Sequence, residues 1–134
     1  MLRYLVAYIA TVVVFLGLDA IWLSRVALGM YRRELGSLLL DKPNLPIAGV
    51  FYLLFAVGVV VLAVIPALNA GNWFTALWMG ALLGLVAYGT YDVTNLSTLK
   101  DWSVTVTLAD LAWGTVLTGV SATAGYLVVT WLKL

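Results

Sequence analysis

The stretch LPIAGVFYLLFAVGVVVLAVIPAL, residues 45–68, contains no charged residue. An apolar helix of about 20 residues crosses the roughly 30 Å hydrocarbon core of a bilayer. Asn44 precedes the stretch and is a suitable N-cap. Pro66 is expected to end or kink the helix near the far surface. The stretch therefore predicts a membrane-spanning helix.

The composition of the whole chain agrees with a membrane protein. Of its 134 residues 64% are hydrophobic and only 10% are charged, and the mean hydropathy is +1.09. These charges are too few to cover a water-soluble domain of this size. We expect one all-α integral membrane domain over residues 1–134, a four-transmembrane-helix bundle. Its spans are expected at about residues 3–24, 45–68, 73–97 and 104–132.

Residues 26–40 have leucines and a tyrosine at helical spacing, with basic residues mostly on the other side. This pattern predicts an interfacial helix. A solvated loop with basic anchors fits the same residues equally well. A signal peptide is disfavoured at the amino terminus, because Asp19 interrupts the end of the apolar run and no small-residue cleavage site follows.

The chain contains no cysteine and no histidine. Their absence excludes disulfides, thiol chemistry, imidazole acid–base catalysis and the usual ligands of zinc, copper and haem. No metal site or cofactor is indicated, and any metal ion would have to be bound by oxygen atoms. The net charge of +1 gives no reason to expect a nucleic-acid partner.

Three aspartates lie within the hydrophobic runs, in the stretches Asp19-Ala20-Ile21-Trp22, Asp92-Val93-Thr94-Asn95 and Asp110-Leu111-Ala112-Trp113. A carboxylate at the centre of a membrane helix is unfavourable by about 2.5 to 3.5 kcal/mol on insertion scales. The first two stretches end spans one and three, and the third begins span four. All three aspartates are therefore expected near the same membrane face, in a shared polar interior.

Two helix faces are predicted to form the bundle interior because small residues recur on them. In span three the face consists of Ala76, Gly80, Gly84, Tyr88 and Asp92, and in span four of Ser103, Thr107, Asp110, Gly114, Thr118, Ser121 and Gly125. Small residues let helices approach closely. We expect tight packing away from the aspartates and a polar, aromatic-lined cavity beside them. Gly58 and Gly119 are expected to face lipid, where they would allow a homodimer.

Carboxylates that share a low-dielectric cavity cannot all stay ionised without a counter-charge, so either a cation lies among them or one of them holds a proton. The first hypothesis is therefore binding or transport of a proton, a cation or a small cationic ligand. Asn95 and Tyr52 would add neutral oxygen atoms, and Trp22 and Trp113 would present ring faces to an organic cation. The candidate ligand-binding residues are Asp19, Asp92, Asp110, Asn95, Trp22, Trp113, Tyr52 and Tyr88.

Two alternatives stay open. The first is a membrane-embedded enzyme that uses the aspartates for acid–base chemistry on a lipid or isoprenoid substrate, with the substrate's head group bound by Arg25, Arg32 and Arg33. The second is a structural or partner-binding protein in which the aspartates are only paired with basic groups. In it, Asp19 would pair with Arg25 or Arg32, Asp92 would pair with Lys100, and Asp110 would lie near the positive end of its own helix.

The distribution of basic residues predicts the orientation. The first and third loops contain Arg25, Arg32, Arg33, Lys42 and Lys100, whereas the termini and the second loop contain Arg3 and Lys133. These loops are therefore expected in the cytoplasm and both termini outside it. Residues 19–24 also match residues 92–97 at Asp, Leu and Ser, which would fit two repeated helical hairpins.

Three stretches carry a family resemblance: residues 15–23 (FLGLDAIWL), residues 88–96 (YGTYDVTNL) and residues 110–114 (DLAWG). They resemble small bacterial inner-membrane proteins catalogued as domain of unknown function 2177. The resemblance implies a multi-pass protein of the bacterial inner (cytoplasmic) membrane. It implies no activity, substrate or cofactor.

Overall fold

The computed structural model describes all residues 1–134, and every regular element in it is helical. The α-helices are α1 (Leu2–Trp22), α2 (Leu28–Leu35), α3 (Leu45–Val59), α4 (Ile65–Ala70), α5 (Trp73–Thr98) and α6 (Val104–Trp131). Two π-helical turns join α1 to α2 and α3 to α4, at Leu23–Ala27 and Val60–Val64.

Four helical stretches are long and apolar enough to cross a membrane. They are Leu2–Leu38, Leu45–Ala70, Trp73–Thr98 and Val104–Trp131. The sequence prediction of an all-α protein with four spans is therefore confirmed.

Side-chain caps fix where three of these stretches begin. Asn44 accepts a hydrogen bond of 3.2 Å from the Ile47 amide, and Asn72 accepts one of 2.9 Å from the Phe74 amide. Ser103 caps α6 in the same way. Each cap satisfies a backbone donor that has no partner within the helix.

The second span continues through Pro66 and ends only at Ala70. Proline lacks an amide donor and its ring clashes with the carbonyl one turn earlier in a regular α-helix. The wider π-helical turn Val60–Val64 immediately precedes α4. This local change in winding accommodates the proline without ending the helix.

The first span continues into α2, within the segment where the sequence predicted an interfacial helix. A straight helix over Leu2–Leu38 would be about 55 Å long, which exceeds a hydrocarbon core of about 30 Å, so part of it extends beyond that core. Tyr31 of α2 donates a hydrogen bond to Asp110, and Ser103 donates one of 3.2 Å to Glu34. The segment α2 therefore lies along the amino-terminal part of α6.

Helix α6 is the centre of the bundle. In the 18-residue apolar stretch that defines each span, half of the residues of α6 are buried inside the protein, against at most 28% in the other spans. It packs along α5, along α1 and against the turn Val60–Val64. The α5–α6 contact is so close that a Cβ atom on Gly80 would lie 2.9 Å from that of Ala122, and one on Gly84 would overlap the Gly114 carbonyl.

The expectation that Gly119 faces lipid is wrong. Gly119 is buried, and a Cβ atom there would lie 3.0 Å from the Leu77 carbonyl oxygen on α5. The face of small and polar residues predicted for span four is only part of the buried surface of α6, because α6 packs against helices on more than one side. The homodimer stays a prediction.

The second span contacts α5 through Val60–Val64 and α4, whereas its amino-terminal part, α3, contacts α1 instead. The span therefore leans away from α5 at the end where α3 begins. This divergence leaves space between α3 and α5 on the side of the bundle that contains the aspartates.

Candidate functional site

The register between α5 and α6 brings two aspartates together. The two helices run antiparallel, and the ring of Tyr88 lies directly against Gly114. One helical turn further along both helices, Asp92 stands opposite Asp110. Their carboxyl groups are direct neighbours. The small residue at position 114 is what allows Tyr88, and with it the following turn of α5, to lie this close to α6.

The three aspartates differ in their hydrogen bonding: Asp19 and Asp110 each have a side-chain donor, and Asp92 has none. Asp19 accepts a hydrogen bond of 3.0 Å from the Trp113 indole, and Asp110 accepts one from the Tyr31 hydroxyl. Asp92 is 0% exposed, and neither of its carboxyl oxygens has a hydrogen-bond partner. The pairing of Asp92 with Lys100 considered for a purely structural role is therefore not formed.

A cavity of about 430 Å³ lies beside these carboxyl groups, and all four spans contribute to it. Its volume is within the range of small-molecule sites, roughly 300 to 1,000 Å³. The lining residues are Asp19, Trp22, Leu23, Tyr31, Phe51, Tyr52, Phe55, Ala87, Tyr88, Tyr91, Asp110 and Trp113. The lining thus contains two carboxyl groups and no lysine or arginine.

The lining includes most of the candidate ligand-binding residues from the sequence: Asp19, Trp22, Tyr52, Tyr88, Asp110 and Trp113. Asp92 and Asn95 do not line it; Asp92 lies behind Asp110. The three candidate head-group residues Arg25, Arg32 and Arg33 are exposed and also lie outside the lining.

Aromatic rings form the walls around the two carboxyl groups. Trp22 and Trp113 are stacked, with ring centroids 4.7 Å apart and an interplanar angle of 8°. On the side of α3, Phe15 packs against Tyr52 and Phe55 at centroid distances of 5.7 and 5.6 Å. The two carboxyl groups therefore face aromatic rings, whose only polar groups are tyrosine hydroxyls and tryptophan indole N–H groups.

The cavity opens between α3 and α5. Phe51 of α3 and Tyr91 of α5 both line it, and each is 59% exposed. Trp102, in the turn before α6, packs edge-on against Tyr91 at a centroid distance of 5.8 Å. The opening follows from the divergence of α3 from α5.

Sequence reasoning missed Tyr31, which reaches Asp110 from α2. A weak signal was present, because Ala27, Tyr31 and Glu34 recur at helical spacing. Ala27 is buried, and the other two bond to α6 or the residue that caps it. Phe51, Phe55 and Tyr91 were missed because an aromatic residue in an apolar span has no feature that separates a cavity wall from a lipid-facing surface.

The acidic groups are not arranged as a metal centre. No group of three or more aspartates or glutamates is close enough to hold a metal ion. The arrangement instead offers two carboxyl groups and several ring faces to one small occupant, which is the chemistry that stabilises a cation of low charge with apolar groups.

The chain matches a protein family described as "Predicted membrane protein (DUF2177)" over residues 4–127. It belongs to this family. The match includes all three aspartates and every residue that lines the cavity, and it confirms the resemblance seen in the sequence. No curated protein and no solved structure matches the chain.

Proposed function

We propose that this member of the DUF2177 family binds a small organic cation in the cavity beside Asp19 and Asp110. The observation that carries the proposal is the composition of the lining: two carboxyl groups and many aromatic rings around about 430 Å³, with no basic residue among them. Asp19 and Asp110 would supply negative charge. Tyr88 would supply a ring face, and so would the stacked pair Trp22 and Trp113 through the faces that do not cover each other.

Electrostatics supports a positively charged occupant. Removing a carboxylate from water costs several kcal/mol, and in a protein interior this cost is normally offset by an opposite charge or a proton. The donors found here, the Trp113 indole and the Tyr31 hydroxyl, are both uncharged. A cation between the carboxyl groups would supply the missing charge.

The ring faces support an organic cation over a metal ion. A hard cation such as Mg²⁺ or Ca²⁺ requires six or more oxygen ligands, including water, whereas most of the lining is apolar. An ammonium group with alkyl or aryl substituents gains about 0.5 to 2 kcal/mol from a ring face, with the larger value at desolvated sites. It also fills the apolar part of the cavity.

Binding inside the spans supports a carrier of the bacterial inner membrane. A carrier needs a site within the bilayer that is open to one face at a time. Here the site lies near one end of the bundle, and beyond it α5 and α6 are in close contact at Gly80 and Gly84. The excess of arginine and lysine in the first and third loops favours a cytoplasmic location for the end of the bundle that contains the site.

Equilibrium binding of benzyltrimethylammonium to the protein in lipid nanodiscs tests the proposal, since the charge of this ion does not depend on pH. We expect saturable binding by the wild type and at least tenfold weaker binding by Asp19→Asn. The matched control is Asp101→Asn, in an exposed turn, which should bind as the wild type does. Equal binding by all three proteins would contradict the proposal.

The lateral opening favours a second candidate, an enzyme acting on a lipid or isoprenoid that enters between α3 and α5. The exposed rings of Phe51 and Tyr91 at the opening would contact its apolar chain. Mass spectrometry of lipids extracted from the wild type and from Asp110→Asn separates the two functions. A lipid that is chemically altered only by the wild type would establish the enzyme.

A further inference from the structure

Asp92 is a buried carboxyl group that the cation site itself does not use. It lies outside the cavity lining, is completely buried and has no hydrogen-bond partner. We propose that Asp92 and Asp110 together form a proton-binding site, and that the proton of this pair is exchanged for the cation. The exchange rests on the proposed function, whereas the proton site does not.

The packing of α5 against α6 determines the position of the two carboxyl groups. The contact of Tyr88 with Gly114 fixes the register of α5 against α6, and Gly89 lies so close to α6 that a Cβ atom there would be 3.3 Å from Leu111. That register places the carboxyl group of Asp92 next to that of Asp110. Two neighbouring carboxylates inside a protein repel each other strongly, and sharing one proton relieves the repulsion.

Asp92 has no hydrogen-bond donor, and no positive charge is among the groups that shift its titration. The titratable groups that face it are uncharged or acidic: Asp110 from α6, Tyr31 from α2, and Tyr88 and Tyr91 from its own helix. The Tyr31 hydroxyl bonds to Asp110 instead. A buried oxygen without a donor loses several kcal/mol of solvation, and a proton held between the carboxyl groups removes that loss.

Asp110 links proton binding to cation binding. This residue borders Asp92 on one side and the cavity on the other. A cation at Asp110 stabilises the ionised form of both carboxyl groups, so the O–H bond of the acid breaks and the proton leaves to water. One positive charge enters and one leaves, and no other reactant is required. Protons and cations therefore compete for the pair.

The infrared spectrum of the ligand-free protein tests the proton site alone. We expect the C=O absorption of a protonated carboxyl group at neutral pH in the wild type and in Asp101→Asn, and its loss in Asp92→Asn. A wild type without this absorption, or an Asp92→Asn variant that keeps it, would overturn the inference.

Proton release tests the exchange. In weakly buffered solution with a pH-sensitive dye, we expect the wild type to release one proton for each benzyltrimethylammonium ion bound. Its affinity should rise about tenfold per pH unit while the pair is protonated. Asp92→Asn should bind the ion without releasing a proton, with an affinity that does not depend on pH.

The outcomes separate this inference from the proposed function. A wild type that binds no cation refutes the proposed function and leaves the infrared result to decide the proton site. A wild type that binds the cation without releasing a proton refutes the exchange only. Both decisive measurements use the wild type, so they hold even where the Asp92→Asn variant does not fold.

Discussion

The indole nitrogen Nε1 of Trp113 on α6 donates a hydrogen bond of 3.0 Å to Oδ1 of Asp19 on α1. The same indole ring is stacked on Trp22. One side chain therefore joins the central helix to the first span, orients a carboxyl group and forms a wall of the cavity. The conformation of the site depends on this contact between the two helices.

Trp113→Phe is expected to lower the free energy of unfolding by about 1 to 3 kcal/mol, because it leaves a buried carboxyl oxygen without its donor. Unfolding in mixed micelles with increasing denaturing detergent measures the change. The control is Trp131→Phe, at an 80% exposed position, which should alter stability by much less. Equal losses of unfolding free energy in the two variants would show that the hydrogen bond to Asp19 does not stabilise the protein.

Gly84→Ala is expected to destabilise the protein by about 1 to 3 kcal/mol or more, because the added methyl group overlaps the Gly114 carbonyl. Backbone atoms cannot move aside as a flexible side chain can. Gly17→Ala is the matched control, since a Cβ atom there has no neighbour within 4 Å. Melting temperatures compare the two variants. A Gly84→Ala protein as stable as Gly17→Ala would contradict the α5–α6 packing described here.

Thr118→Val is expected to leave the melting temperature unchanged or to raise it. The hydroxyl of Thr118 is buried without a hydrogen-bond partner, and a methyl group of the same shape removes that unsatisfied polar atom. Thr107→Val should instead lower the melting temperature, because the Thr107 hydroxyl accepts a 3.1 Å hydrogen bond from Trp102. The reverse order of the two variants would indicate that Thr118 has a partner such as a water molecule.

Single cysteines can report the orientation directly, since the chain has none of its own. An impermeant thiol reagent applied to intact cells is expected to label Asn69→Cys, at the exposed carboxyl end of α4. It is expected to label Lys42→Cys, in the first loop, only after the membrane is opened. These positions follow from the excess of basic residues in the first and third loops. Labelling of Lys42→Cys in intact cells would reverse the proposed orientation.

The sequence predicted the spans and the common depth of the aspartates because both depend on hydropathy and helix length alone. It also predicted the close approach of α5 to α6, since Gly80 and Gly84 recur on one face with Tyr88 and Asp92. These features are local to a single helix, and a helical wheel contains them.

The sequence could not show how the helices lean and rotate against one another. The divergence of α3 from α5, which opens the cavity at Phe51 and Tyr91, depends on contacts between helices far apart in the chain. For the same reason the spacing of residues could not tell that Asp92 lies behind Asp110 while Asp19 borders the cavity. The contact of Tyr31 with Asp110 requires the π-helical turn Leu23–Ala27 and the packing of α2 on α6 together.

The cavity is expected to select a positive charge, and the most direct test compares two ligands of the same shape. Benzyltrimethylammonium and its uncharged isostere neopentylbenzene differ only in nitrogen and its charge. Isothermal titration of the wild-type protein in nanodiscs should give binding of the cation at least tenfold tighter than binding of the isostere. Equal affinities, or tighter binding of the uncharged compound, would show that Asp19 and Asp110 do not form a cation site.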